Sequence, residues 1–170
     1  VIGRLSKMSK FCPQFHLSLQ SGCNSVLKRM NRHYTAEEYY GLCEKLKKAF
    51  PGLSLTTDII VGFPGETEDM FNETVEYAKE IRFMKVHVFP YSPREGTPAA
   101  NFPDQITSGV KAMRCRALQS ECDRIRAEIL ASYNGKILPV LFETPKGGIQ
   151  HGYTENYIPV KVPSLTPLTG

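Results

Sequence analysis

The chain has 170 residues, 41% of them hydrophobic and 22% charged, with a formal net charge of +4. This is the balance of a globular chain that buries one good core, and it excludes a disordered, collagen-like or low-complexity protein. No apolar run approaches the roughly 18 residues of a membrane span, and Val1 to Lys10 lack the apolar stretch of a secretory signal. The expectation is a soluble, cytoplasmic protein with no membrane partner.

The first clear element is Gln14-Phe15-His16-Leu17-Ser18-Leu19-Gln20, which alternates strictly and reads as a strand. Phe15, Leu17 and Leu19 form one face; His16, Ser18 and Gln20 form the other. Ser21-Gly22-Cys23-Asn24 then turns into a short basic helix over 25–31. Thr35 opens the next helix with a capping box closed by Glu38, and Tyr39, Leu42, Cys43, Leu46 and Phe50 recur at helical spacing until Pro51-Gly52. The second strand follows Leu53 and is nearly continuously apolar from Ile59 to Val61, as in a parallel strand covered on both sides. It ends in the turn Gly62-Phe63-Pro64-Gly65, and Thr67 caps another helix with Phe71, Val75, Ala78 and Ile81 as its buried stripe.

The third strand spans about Met84 to Tyr91, where Pro90 ends the ladder. A Pro/Gly-rich loop covers Ser92 to Ala100, and a long helix runs from about Ser108 to Tyr133, closed by Asn134-Gly135. Its charges, including Lys111, Arg114 and Glu128, read as a solvated face. From Gly135 the character changes: 137–143 and 157–162 read as strands separated by Lys146-Gly147-Gly148, the beginning of a small β module.

Strand alternating with helix predicts an α/β fold with parallel strands and right-handed crossovers, too few to close a barrel. With the apolar faces under the helices, His16, Ser18, Gln20, Thr56, Asp58, His87 and Tyr91 line the concave side. Packing alone would favour Val, Ile and Leu there, so the polar lining predicts a ligand at the carboxyl ends of the strands.

The five cysteines are an odd set without CxxC spacing, which argues against a disulfide framework. Cys115 and Cys122 share a helix face and read as core. Cys23, in a polar turn, reads as the accessible thiol.

Four segments carry a resemblance to a known family. Phe15 to Cys23 with Leu27-Lys28-Arg29-Met30-Asn31-Arg32 resembles the fourth barrel strand and helix of the radical S-adenosylmethionine (SAM) methylthiotransferases. Thr57 to Thr67 resembles the fifth strand, and His87-Val88-Phe89-Pro90-Tyr91-Ser92 with its loop to Ala100 resembles the sixth. The segment from Ile137, including Asn156-Tyr157-Ile158-Pro159-Val160, is similar to the opening of the RNA-binding TRAM barrel. The resemblance divides the chain into residues 1–134, the C-terminal half of a partial (β/α) radical SAM barrel, and residues 135–170, an incomplete TRAM-like module. The wording is most like the group that methylthiolates N6-threonylcarbamoyladenosine in tRNA, with the isopentenyladenosine group second.

The resemblance implies SAM and 4Fe–4S clusters as cofactors and tRNA, not DNA, as partner. In that family the cluster reduces SAM to a radical that abstracts hydrogen from the adenine ring, after which a sulfur and a methyl group are added. The cluster-binding CxxxCxxC motif is not in this sequence, so the reading is a fragment with no metal ligands or catalytic residues of its own, inactive alone. A non-catalytic RNA- or protein-binding module is the alternative.

His16, Gln20, Ser21, Asp58, Gly62, Phe89 and Tyr91 are the candidate cofactor-binding residues. Gln20 and Ser21 are read as partners for ribose or methionine groups, or as a turn that satisfies itself. Gly62 either lets a flat adenine approach the backbone or serves only the turn. Asp58 accepts from the cofactor or pairs with Arg32; Phe89 and Tyr91 stack on adenine, with core packing the simpler account of Phe89. Arg32 and Arg94, in turn and loop positions, are the candidate RNA-binding residues. Lys136, Lys146 and Lys161 are too few to establish RNA binding in the tail.

Overall fold

A computed structural model describes residues 1–143, 145, 147–164, 166 and 168. Lys146, considered above, lies outside the described residues. The first sheet is parallel, ordered β1 (Gln14–His16), β2 (Ser54–Val61), β3 (Lys85–Pro90). Register pairs Phe15 with Leu55 and Asp58 with His87. Crossovers are α2 (Asn24–Arg29) with α3 (Ala36–Ala49), then α4 (Glu68–Ile81); α5 (Ser108–Ala131) follows β3. A short α1 (Ile2–Leu5) precedes them and was not signalled by the sequence pattern.

The core lies between the sheet and these helices. Leu55, Ile59, Val61 and Val86 point from the strands into it, and Tyr39, Cys43, Leu46, Phe71, Ala78, Ile81 and Leu118 meet them from the helices. The Thr35 capping box forms as read: its hydroxyl accepts from the Glu38 amide, and the Glu38 carboxylate accepts from the Thr35 amide. Thr67 and Thr107 cap α4 and α5 through the hydroxyl alone, which accepts from the Met70 and Val110 amides. Leu42 is a correction to the expected stripe, because it is exposed while Tyr39, Cys43 and Leu46 fill the contact.

β1 is shorter than the alternation implied. Its regular ladder stops at His16 because the buried Thr57 hydroxyl takes over the next backbone groups, donating to Leu17 O at 2.6 Å and accepting from Leu19 N at 2.9 Å. The Tyr39 hydroxyl also donates to Leu17 O, and that of Tyr34 to Leu19 O. Side chains replace ladder partners, so the segment keeps its extended course and its two faces without being a regular strand.

A second sheet is antiparallel: β4 (Val140–Phe142), β5 (Ile149–Thr154) and β6 (Pro159–Pro163). The sequence reading missed β5, because Gln150, His151 and Gly152 break its apolar pattern. Gly152 is required there, since a β-carbon would sit 2.5 Å from Leu141 O. Asn156 ties this sheet to the first, donating to Gly52 O at 2.9 Å and to the Tyr133 hydroxyl at 2.8 Å. Among the described residues no helix is long and apolar enough to cross a membrane.

Candidate functional site

The concave face of the parallel sheet is polar and internally hydrogen-bonded. Thr56 and Asp58 alternate with buried Leu55, Thr57 and Ile59 on β2, so their side chains project opposite the helices. His16 Nδ1 lies 3.0 Å from the Thr56 hydroxyl and its Nε2 3.1 Å from Asp58 Oδ2. Gln14 donates to the same Thr56 hydroxyl at 3.2 Å. The Asp58 carboxylate can only accept, so Nε2 is the ring nitrogen that donates to it. Ser18 also donates to Asp58 Oδ2, at 3.1 Å. Both bonds fall on one oxygen, and Oδ1 is left without a partner among the described residues. His87 completes the row, with its ring 6.3 Å from His16 and stacked at 15° on Phe89.

At the carboxyl ends of the strands this face opens into a cavity of about 560 Å³, bounded by Gln20, Asp58, Ile60, Phe89, Tyr91 and Arg94. Gln20 is held in left-handed backbone, φ 71°, although it is not glycine. Its amide donates to Asp58 O at 2.9 Å and its carbonyl accepts from Ile60 N at 2.9 Å. The sheet thus forces a strained residue at the cavity rim, a placement common at binding sites. The Tyr91 ring packs edge-on to Phe63 at 4.9 Å, and its hydroxyl oxygen is buried without a partner.

His16, Gln20, Asp58, Phe89 and Tyr91 are therefore gathered on one side of the sheet. Phe89 corrects the packing expectation: it is 50% exposed and lines the cavity, since it shares the inward parity of His87. Asp58 takes His16 and Ser18 as partners rather than Arg32.

Two other candidates are placed elsewhere. Ser21 is fully buried, with its hydroxyl 3.2 Å from that of Thr74 and accepting from Cys23 N; it closes the turn behind the sheet. Gly62 (φ 71°) gives its amide to the Glu66 carboxylate, and a β-carbon there would lie 2.5 Å from Lys111 Cγ. The space the glycine leaves is filled by Lys111, so it serves the turn and not an approaching ring. Arg32 and Arg94 are both exposed at the mouth, Arg94 on this cavity and Arg32 on an adjoining one.

Residues that sequence reasoning overlooked hold the mouth in place. Arg114 is buried, not solvated: it donates to Glu66 O at 3.0 Å and to Glu66 Oε2 at 3.1 Å, and pairs with Glu68 at 3.1 Å. Burial pushes the Glu66 carboxyl above the ordinary carboxylate range, and the Gly62 amide and Arg114 draw it partly back. One turn earlier on α5, Lys111 donates to Tyr91 O at 2.9 Å. Two side chains of one helix thus clamp the ends of β2 and β3. The only sequence signal was the spacing of Lys111, Arg114, Leu118 and Cys122 on one helix face.

The cysteines also correct the reading. Cys23 is buried and Cys12 is the exposed thiol, because the turn after β1 folds inward under α2 and α4. Burial pushes the Cys43 thiol up to about 11 and that of Cys122 to about 12. Among the described residues no group of three or more His, Cys, Asp or Glu side chains is arranged to hold a metal ion. These residues do not fit an iron–sulfur cluster. They do fit a polar organic cofactor with an aromatic part: an unpaired carboxylate oxygen, an orphaned tyrosine hydroxyl and exposed Phe89 surround one cavity.

Fold and site together define an α/β unit whose three-stranded parallel sheet turns a polar face toward a cavity at its carboxyl edge. A family model for the radical SAM superfamily matches residues 2–78. The "threonylcarbamoyladenosine tRNA methylthiotransferase MtaB" of Bacillus subtilis is 44% identical over 165 residues, which is 94% of this chain and 37% of that protein. A "tRNA-2-methylthio-N(6)-dimethylallyladenosine synthase" of Alkaliphilus oremlandii is 47% identical over 145 residues, 85% of this chain and 31% of that protein. One of the same description from Clostridium novyi is 43% identical over 145 residues, 85% of this chain and 32% of that protein. The chain belongs to the radical SAM methylthiotransferase family. It spans about a third of the length of these curated relatives.

Proposed function

We propose that this chain is the C-terminal part of the radical SAM barrel of a tRNA methylthiotransferase, and that its concave face is one wall of the SAM site. Residues 1–134 are the barrel part and residues 135–170 open a TRAM-type RNA-binding module. The observation that carries the reading is the unpaired Asp58 Oδ1 beside Gln20, Phe89 and Tyr91 at the carboxyl ends of three parallel strands. His16 and Ser18 orient the Asp58 carboxylate, which accepts from hydroxyl or amine groups of the cofactor. Gln20 offers an amide, and Phe89 and Tyr91 offer faces for the adenine. When bound, and with the 4Fe–4S cluster supplied by the rest of the enzyme, SAM provides the radical chemistry.

The substrate is the C2 position of N6-threonylcarbamoyladenosine in tRNA. The match over 94% of the chain to a relative of that description supports this assignment. The dimethylallyladenosine-type substrate is the second reading, favoured by 47% identity over a shorter stretch. Nucleoside analysis of tRNA from cells lacking the gene separates them. Loss of the methylthio group from the threonylcarbamoyl nucleoside, with accumulation of its precursor, is expected. Loss from the dimethylallyl nucleoside instead would establish the second reading, and an unchanged profile would refute both.

A further inference from the structure

Beside the cofactor cavity lies a second cavity of about 770 Å³, a size in the range of small-ligand sites. The two share Ile60, Tyr91, Thr97 and Ala99 as a common wall. Its chemistry is different. Lys28, Arg29 and Arg32 contribute to its lining and no carboxylate does, while Phe63 and Phe102 supply aromatic surface. Phe63 is fixed by packing on Cys23 and Val26, and Phe102 meets it edge-on at 6.3 Å and 85°.

Arg29 is the most constrained of these cations. Its guanidinium carbon lies 6.0 Å from the centre of the Phe102 ring. On the other side it occupies the place of a β-carbon at Gly65, which would sit 2.5 Å from Arg29 Cζ. Gly65 has φ 77°, and its amide donates to Asp104 O at 3.0 Å, so the supporting loop is itself anchored. Among the described residues no carboxylate pairs with Arg29. A planar guanidinium held between a ring and a glycine, at an acid-free wall, is arranged to receive an anion.

We propose that this cavity seats a nucleotide of the substrate RNA next to the one that reacts, with Arg29 on its phosphodiester and Phe102 or Tyr91 offering a face to an unstacked base. The proposal rests on the tRNA reading and deepens it. Single-stranded RNA is held in this way, by cations on the backbone and aromatic rings on the bases. The shared wall places the neighbouring nucleotide beside the cofactor cavity, where a target adenine must be extruded.

The test is equilibrium binding of the full-length protein to three anticodon stem-loop RNAs. They carry threonylcarbamoyladenosine, dimethylallyladenosine or plain adenosine at the target position. Arg29→Gln should weaken all three equally, by about five- to eightfold at about 0.1 M salt, because one phosphate contact scales affinity with salt to a power of about −0.7 to −0.9. The salt slope should fall by the same amount, and Arg29→Lys, which keeps the charge, should restore most of the slope. Loss confined to the threonylcarbamoyl RNA would mean that Arg29 reads the carboxylate of the base substituent, and would overturn the phosphate assignment. No change with any RNA would overturn the proposal while leaving the tRNA reading intact. Failure of the unaltered protein to bind any of the three would sink both.

Discussion

Replacing Arg114 by Met tests the clamp at the mouth. The pair it forms with Glu66 has side chains only 5% and 1% exposed. Removing one partner of a buried pair leaves an uncompensated charge and costs about 3–5 kcal/mol, against a total domain stability of roughly 5–15 kcal/mol. The variant loses the bond to Glu66 O as well, which adds to the cost. The effect has a pH signature. Burial already raises the Glu66 carboxyl, and without Arg114 it rises further. A carboxyl whose folded value lies above its unfolded value of about 4.3 keeps its proton in the folded state, so stability falls as pH rises through that window. Urea unfolding followed by circular dichroism should therefore show a larger loss at about pH 8 than at about pH 5. Adding Glu66→Gln should remove the pH dependence and recover part of the loss, since no buried charge then remains. A loss below about 1 kcal/mol at about pH 8, or an equal loss at both values, would refute this account of the pair.

Other consequences follow from the same geometry. Gly62→Ala must hold left-handed backbone and displace Lys111 from Tyr91 O, so thermal unfolding should show a loss of about 1–3 kcal/mol; an unchanged melting temperature would contradict the role given to that glycine. Thr35→Ala removes the cap of α3 and should cost about 1 kcal/mol in chemical denaturation. Alkylation of the native protein with iodoacetamide, read by mass spectrometry, should label Cys12 first and leave Cys23, Cys43 and Cys122 untouched until unfolding. Early labelling of Cys23 would restore the reading taken from its polar neighbours.

Much of the fold was legible because the relevant forces are local. The alternation of Phe15, Leu17 and Leu19 against His16, Ser18 and Gln20 predicted both faces of the first segment, and Thr35 with Glu38 predicted a helix start. What escaped were decisions made across the chain. The Thr57 hydroxyl, contacting residues about forty positions away, ends β1 early. Arg114 looks solvated in a charged helix until Glu66 is brought under it by the turn after β2. Ser21 and Gly62 sit within the most informative stretches, yet one hydroxyl faces Thr74 and the other position faces Lys111. The direction of a side chain at a strand end depends on how the following helix docks, which residue type does not reveal. For Phe89 parity was the better guide: two residues after His87, it had to face the cavity.

The account rests on the concave face as the seat of SAM, and SAM binding by the full-length protein tests that most directly. Asp58→Asn, which keeps the shape but removes the charge that His16 and Ser18 orient, should weaken SAM binding about tenfold or more, as expected for a charge-assisted hydrogen bond. Glu76→Gln, on the outer surface of α4, should leave it unchanged. Equal affinity for the Asp58 variant and the unaltered protein would place the cofactor elsewhere and contradict the central claim.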